Sequence, residues 1–316
     1  MIGQAGMEKL YNQVKKNPVL YESLAKTKQK VTEITNEQIE CATGNHNISH
    51  INRVIEYLDN IYSKYFSSFM PLNEYEEFIL LSAVYLHDIG FYLHKKSDLE
   101  NFCIWKHIEL DLSNRQEFYR KMHPWISAYW IFSNLTNCST LPQIFFGEQN
   151  LGYCVMEIII SHGINFWEFP YYHDELFLCN HKIRVLYLSY LLCLADTLDC
   201  DKRRNEDTHP NMLKQYNVQD KIFFRYHNYI KKIKLNESKI DFYICIPPIA
   251  TKNDKQIFDR FYIVKMTEWL VTLLKQGELL FPHINKPLNL KLHITPSIIE
   301  EEPTREEFDY IKKHLI

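Results

Sequence analysis

His87 and Asp88 stand side by side directly after an apolar stretch, in the string SAVYLHDIGF. Two adjacent polar groups at the end of a buried helix are costly unless something satisfies them. A divalent metal would do so. Neutral imidazole with carboxylate suits Mn, Fe, Ni, Co or Zn, and carboxylate-rich sites also suit Mg. Four more residues of these types sit at or near the ends of apolar segments: His50 in HINRV, His123 at the head of HPWISAYWIF, His162 closing EIIISH, and Asp196 closing LYLSYLLCLAD. Five apolar helices each delivering a ligand type is the way a helical bundle builds an internal metal site.

The elements that must position these residues are read from periodicity. In residues 47–66, Ile48, Ile51, Val54, Ile55, Leu58, Ile61 and Tyr62 recur at helical spacing. Residues 74–86 predict a second helix, buried over its later half. Residues 113–135 predict a third helical region with a break near Pro124, 148–161 a fourth, and 182–198 a fifth and the most apolar. Ahead of them, residues 1–45 read as polar and helical, interrupted at Asn17-Pro18. The character changes after about residue 210. Alternating runs at 233–235 and 240–244 predict two strands around a turn at Asn236, Glu237 and Ser238. A helix over 254–275, a strand over 289–295 and a helix over 305–315 follow. The expected fold is mostly α: a helical bundle with a small C-terminal α/β appendage. The expected divisions are an N-terminal helical extension (1–45), a metal-binding domain (46–210) and a C-terminal α/β region (211–316).

Composition narrows the function. The 316 residues are 46% apolar, enough for a sizeable core. Only 8 are glycine, against an average of roughly 7%, which disfavours barrels and sandwiches. Neither GxGxxG nor a Walker A pattern occurs, so phosphates would have to be held by side chains or metals. The net charge of −3 is unlike that of a dedicated duplex-DNA binder. Eight scattered cysteines without a CxxC pair fit reduced, buried thiols. No signal pattern opens the chain, and the longest apolar run, 185–195, is short of the roughly 20 residues a bilayer needs. A cytoplasmic protein with no membrane association is expected.

The ordered set H…HD…H…H…D, in these contexts, resembles the HD superfamily of metal-dependent phosphohydrolases over roughly residues 46–205. HINRV is similar to its first motif HxxRV, LHDIG to the central motif and LADTLD to the last. The resemblance implies an HD-type bundle in which His50, His87, Asp88 and Asp196 hold one divalent ion. In binuclear members two further histidines hold a second ion and the central aspartate bridges both; His123, His162 and Asp88 stand at those places. ADTLDCDKRR and the strand-bearing tail resemble, more loosely, a subgroup proposed as effectors in bacterial conflict and antiviral defence. The chain departs from the cyclic-dinucleotide phosphodiesterases, whose HDIGK, HHE and GYP are here HDIGF and SHGINF. HDIGFYLHKK matches the HDIGHPPFGH of dNTP triphosphohydrolases only in part.

Other residues offer supporting roles. His46, one turn before His50, is an alternative ligand, though a surface histidine at a helix start is the reading taken. His94 could protonate a leaving group. Lys95, Lys96, Lys202, Arg203 and Arg204 flank two of the metal motifs; such runs are usually solvated faces, but guanidinium suits bidentate phosphate contact. Phe166, Trp167, Phe169, Tyr171 and Tyr172 could pack a loop or stack a nucleobase. The leading expectation is an enzyme with one or two divalent ions (Mn, Mg, Fe, Ni, Co or Zn), hydrolysing a nucleotide, short oligonucleotide or nucleotide second messenger by metal-activated water. Asp88, Asp196 and His94 would be catalytic, and Lys95, Arg203, Arg204 and Trp167 would bind substrate. The alternatives are a DNA or RNA nuclease of a defence system, and a nucleotide-sensing module that engages a protein partner through the C-terminal region. Self-association is left open.

Overall fold

Each of the first three long helices begins at an asparagine that satisfies open backbone amides. Asn17 accepts from Leu20 N at 3.3 Å, and Pro18 fills the first position of α1, Pro18–Thr35. Asn47 accepts from Ser49 N and His50 N at the start of α2, Ile48–Ile61, which runs on through a π-helical turn at Tyr62–Phe66. Asn73 and Glu76 form a reciprocal cap on α3, Glu74–Leu86. The computed structural model describes residues 10–36, 46–93, 95–135, 145–146, 149–163, 175–178, 180–206, 208, 214, 216–236, 239–281, 288–297 and 300–316. Described residues up to Asp196 form one unit, and those from Thr197 onward form a second.

The first unit is helical. After α3 come a 3-10 turn at Ile89–Tyr92, α4 (Lys96–Lys106), α5 (Arg115–Leu135), α6 (Gly152–Ser161) and α7 (Val185–Leu198). Helix α3 is buried all round from Tyr75 to Leu86 and packs against α1, α2 and α6. Two expectations are corrected here. Helix α6 starts at Gly152 rather than near 148, because Gln149–Asn150 (β2) pairs with Phe145–Phe146 (β1) as an antiparallel hairpin. Pro124 does not break α5, which runs through it. A second hairpin, Leu176–Leu178 (β3) with His181–Ile183 (β4), leads into α7. There Arg184 makes two-pronged contact with buried Glu76, Nε to Oε1 at 2.7 Å and Nη2 to Oε2 at 2.6 Å, which ties the start of α7 to that of α3.

The segment ahead of α1 is held by carboxylates. Leu10 N donates to Asp59 at 2.8 Å, and Gln13 N and Val14 N donate to Glu77 Oε2 at 2.8 and 2.6 Å. Burial pushes the Glu77 carboxyl up to about 7, against the pull of those two amides. The folded state then keeps a proton that the unfolded chain has lost. Its contribution is complete below about 4.5 and is lost as pH rises through about 7. Glu77→Gln cannot ionise, so it should flatten the fall in stability between these limits. Urea midpoints at acid and neutral pH, for variant and wild type, measure this; an unchanged fall counts against the assignment.

The second unit carries the strands. Val218–Tyr229 (α8) leads into Ile230–Asn236 (β5), which forms a hairpin with Lys239–Ile246 (β6). Lys252–Phe258 (α9), a π-helical stretch and Met266–Leu280 (α10) then return the chain to Asn289–Pro296 (β7), parallel to β6, so the sheet order is β5-β6-β7. Arg305–His314 (α11) follows, with Glu307 receiving Arg225 of α8 at 3.0 Å. The architecture is mostly α with a small α/β part. Cys103, Cys154, Cys193, Cys200 and Cys245 are free thiols. Among the described residues no helix is long and apolar enough to cross a membrane.

Candidate metal centre

The six residues singled out as metal ligands converge inside the first unit. His87 caps α3 and Asp88 follows it in the turn, both buried. His50 comes from the first turn of α2, His123 from mid-α5, His162 from the end of α6 and Asp196 from α7. Around Asp88 Oδ2, His50 Nε2 and His87 Nε2 each lie at 3.2 Å, and they are 3.2 Å from each other. Asp196 Oδ1 completes this group, 3.4 Å from His50 Nε2 and 3.7 Å from His87 Nε2. The other oxygen, Oδ1, faces His123 Nε2 at 3.3 Å and His162 Nε2 at 3.6 Å, and those two nitrogens are 3.1 Å apart. One carboxylate thus serves two clusters.

Ligand atoms around one ion at roughly 2.1 Å are separated by about 3.0 Å on an octahedral edge and about 3.4 Å on a tetrahedral one. The spacings above fall around those values, so the donor set fits an ion in each cluster.

The backbone fixes which ring nitrogens face inward. His87 Nδ1 donates to Val84 O at 2.8 Å, and His162 Nδ1 donates to Ile159 O. His123 Nδ1 lies 3.0 Å from Arg120 O and 3.1 Å from Tyr119 O. Arg120 O is the carbonyl four residues before Pro124, the one a proline leaves without its helical partner. The unbroken course of α5 follows: the imidazole supplies the bond that proline lacks. With Nδ1–H committed in this way, the Nε2 lone pairs of His123 and His162 face each other, an arrangement that a cation relieves.

Electrostatics supports the same picture. Burial pushes the His123 imidazole down to about 3, so it is neutral and ready to ligate. Burial would also depress His87, but Asp88 and Asp196 hold it well above its usual value, so it carries an Nε2 proton that a cation bound between these carboxylates would displace. Burial would raise Asp88; His87, His46 and His162 hold it well below the usual carboxylate range. Asp196 is likewise lowered against burial, by His87 and His50. Both carboxylates therefore remain charged inside the protein, as cation ligands must.

Two glycines set the spacing of the helices. A Cβ on Gly90 would lie 2.3 Å from His123 O, and one on Gly163 would lie 2.4 Å from Pro124 Cγ. Gly90 N donates to Ser127 Oγ at 2.8 Å, and that hydroxyl donates to His87 O at 2.7 Å, so the His87–Asp88 turn is locked to α5. Gly90→Ala should push α5 away and lower bound metal toward one ion per chain with the helices retained. Metal analysis together with circular dichroism reads this; full metal content in the variant would show that the close approach is not needed.

His46 corrects the sequence reading. It is not a surface residue: it is 8% exposed, and its Nδ1 lies 2.6 Å from Asp88 Oδ2. Its ring stacks on Phe91 at 4.2 Å, and Phe91 stacks on His123 at 4.1 Å. His46, His50 and Asp88 also make a third group able to hold an ion. Tyr92 was missed as well; its hydroxyl is buried with no hydrogen-bond partner among the described residues, within electrostatic reach of Asp88.

Lys95 is exposed at the start of α4. Arg203 Nε bonds both Asp201 oxygens at 3.1 Å, and Arg204 Nη1 donates to Asp199 O at 2.9 Å, so each has a partner within its own turn. His94, Trp167 and the aromatic run 164–174 lie outside the described residues.

Known proteins supply the last observation. A search of curated proteins finds no match. The HD-CE family model matches residues 29–276, well over half of the chain and all six of the converging residues. An HD-type domain around a buried His/Asp cluster that could hold metal points to a metal-dependent hydrolase, and on the extent of that match the chain belongs to the HD-CE family.

Proposed function

We propose that this protein is a metal-dependent phosphohydrolase acting on a nucleotide, a short oligonucleotide or a nucleotide second messenger. The observation that carries the reading is the division of Asp88: Oδ1 meets the Nε2 atoms of His123 and His162, and Oδ2 meets those of His50 and His87 as well as His46 Nδ1, all in a buried cluster. His50, His87, Asp88 and Asp196 would hold one ion, and Asp88, His123 and His162 a second. Bound there, the ions would bring the pKa of a water toward neutrality and offset charge on phosphoryl oxygens.

The chain's own groups divide the remaining work. The Asp196 side chain is 26% exposed against 5% for Asp88, so Asp196 is the carboxylate that can orient an attacking water while Asp88 stays structural to both clusters. His46 holds Asp88 Oδ2 in place. Leaving-group protonation falls to His94 and phosphate binding to Lys95, with Trp167 available to stack a base. A defence role rests on the looser resemblance of the segment after Asp196. A module that only sensed a nucleotide would have no need of six complete ligands, which favours catalysis.

The test is a panel: purified protein with Mn, Mg, Ni or Co against dNTPs, cyclic and linear oligonucleotides, single strands and long duplex. Metal-dependent turnover stopped by chelator is expected, with short substrates preferred over duplex, and about two ions per chain on metal analysis. Absence of metal after reconstitution, or no turnover on any member, removes the proposal.

A further inference from the structure

The sheet of the second unit has one face in the core and one open. Ile233, Leu235, Phe242 and Ile244 are buried on the first. The other follows from register. Lys232 pairs with Tyr243, which pairs with His293; one step along, Lys234 pairs with Asp241, which pairs with Lys291. Lys239 extends the same face on β6, two residues from Asp241. Lys232, Lys234, Lys239 and Lys291 are all exposed. The single acid among them, Asp241, is engaged by Asn236 Nδ2 and by His293 Nε2, the latter at 2.7 Å. Four lysines against one hydrogen-bonded carboxylate make a basic face on a chain of net charge −3.

At its centre lies a flat aromatic pair. The Tyr243 and His293 rings stack at 4.6 Å, tilted by 7°, and Lys234 Nζ sits 5.0 Å from the tyrosine ring. Lysines suit phosphates. A half-exposed ring platform between them suits a base, which every nucleotide offers and an acidic peptide or lipid headgroup does not. The rows are about 6.7 Å apart along the strands and the strands about 4.8 Å apart, too small an area for a duplex groove but matched to a few unstacked nucleotides.

We propose that this open face of the β5-β6-β7 sheet binds single-stranded nucleic acid, with Lys232, Lys234, Lys239 and Lys291 on phosphates: Lys234 leaves the Tyr243 ring for a phosphate, and a base stacks on the ring face it uncovers, opposite His293. This goes beyond the metal centre and does not depend on it. Binding is therefore measured on the full chain in chelator, where no hydrolysis is read, by fluorescence anisotropy of a labelled single strand of roughly ten nucleotides.

Affinity should fall with salt at a log–log slope of about −2 to −3, the value for three to four phosphate contacts on a single strand. The double variant Lys234→Glu, Lys291→Glu should bind at least about tenfold more weakly, with the slope reduced by about 1.4. Tyr243→Leu should weaken binding roughly tenfold and leave the slope unchanged. Polyglutamate and phosphatidylserine vesicles, added as competitors at matched charge, should displace the strand poorly. No binding by the wild type, equal competition by either polyanion, or a Tyr243→Leu protein that folds and binds normally overturns the proposal. The salt slope and the competition need no variant, so a misfolded mutant does not decide the matter. Hydrolysis failing while binding holds would count only against the phosphohydrolase reading.

Discussion

Asp88→Ala is expected to lower turnover by about four orders of magnitude, some 5 kcal/mol of lost transition-state stabilisation, and to strip the protein of both metal ions. The size follows from the geometry. Asp88 alone joins the two proposed ion positions: its Oδ2 faces His50 and His87, and its Oδ1 faces His123 and His162. A methyl group can replace neither oxygen. The turn itself should survive, because Gly90 N, Ser127 Oγ and His87 O hold it through backbone and hydroxyl groups that the substitution does not touch. Metal analysis, turnover and far-ultraviolet circular dichroism on one preparation separate the outcomes. A variant with near-wild-type turnover refutes the bridging role; one that loses its helices shows that the carboxylate matters first to folding.

Much of the fold was legible because its signals are local. The apolar spacing of α2 and the apolar later half of α3 lie within the elements they determine. The β5-β6 hairpin was readable from two alternating runs around a polar turn. What escaped depends on contacts remote in sequence. The short β1-β2 pairing replaced the expected first turn of α6, and two-residue strands carry no periodicity to read. Helix α8 contains a stretch rich in aromatics, FFRYHNY, whose helical course is set by the Asn217–Asp220 cap and by the packing of Ile222 and Tyr226.

The site divides the same way. His50, His87, Asp88, His123, His162 and Asp196 could be picked out because each is a polar residue at or near the end of an apolar run, a pattern that is costly without a purpose. His46 could not. It stands in the polar string TGNHNISH, before the cap of α2, and only the fold brings it onto Phe91 and Asp88. Asp88 lies 42 residues away, and no spacing rule reaches that far. Pro124 was legible as a residue but not in its effect: a helix breaker by rule, it is here the reason that a carbonyl is open to His123.

That last contact yields a pair of results expected to run in opposite directions. His123→Ala should leave about one ion per chain and lower turnover by roughly a hundredfold or more, since a cluster built on Asp88, His123 and His162 keeps only two ligands. His162→Ala should do the same. Pro124→Ala is gentler. Its new N–H can donate to Arg120 O, restoring the helical bond and favouring α5 by up to about 3 kcal/mol. The same bond competes with His123 Nδ1 for that oxygen, leaving Tyr119 O at 3.1 Å as the ring's remaining anchor. Loss of an outer hydrogen bond of this kind lowers metal affinity by about 10–100-fold. The Pro124→Ala protein should therefore melt at a higher temperature and yet lose its second ion at a lower chelator concentration. Melting curves and chelator titrations on the same sample measure both. If His123→Ala keeps two ions and full rate, the site holds its metal elsewhere and His123 is a core histidine. If only Pro124→Ala leaves metal retention unchanged, Tyr119 O alone is enough to orient the ring, and the proline serves packing against Gly163.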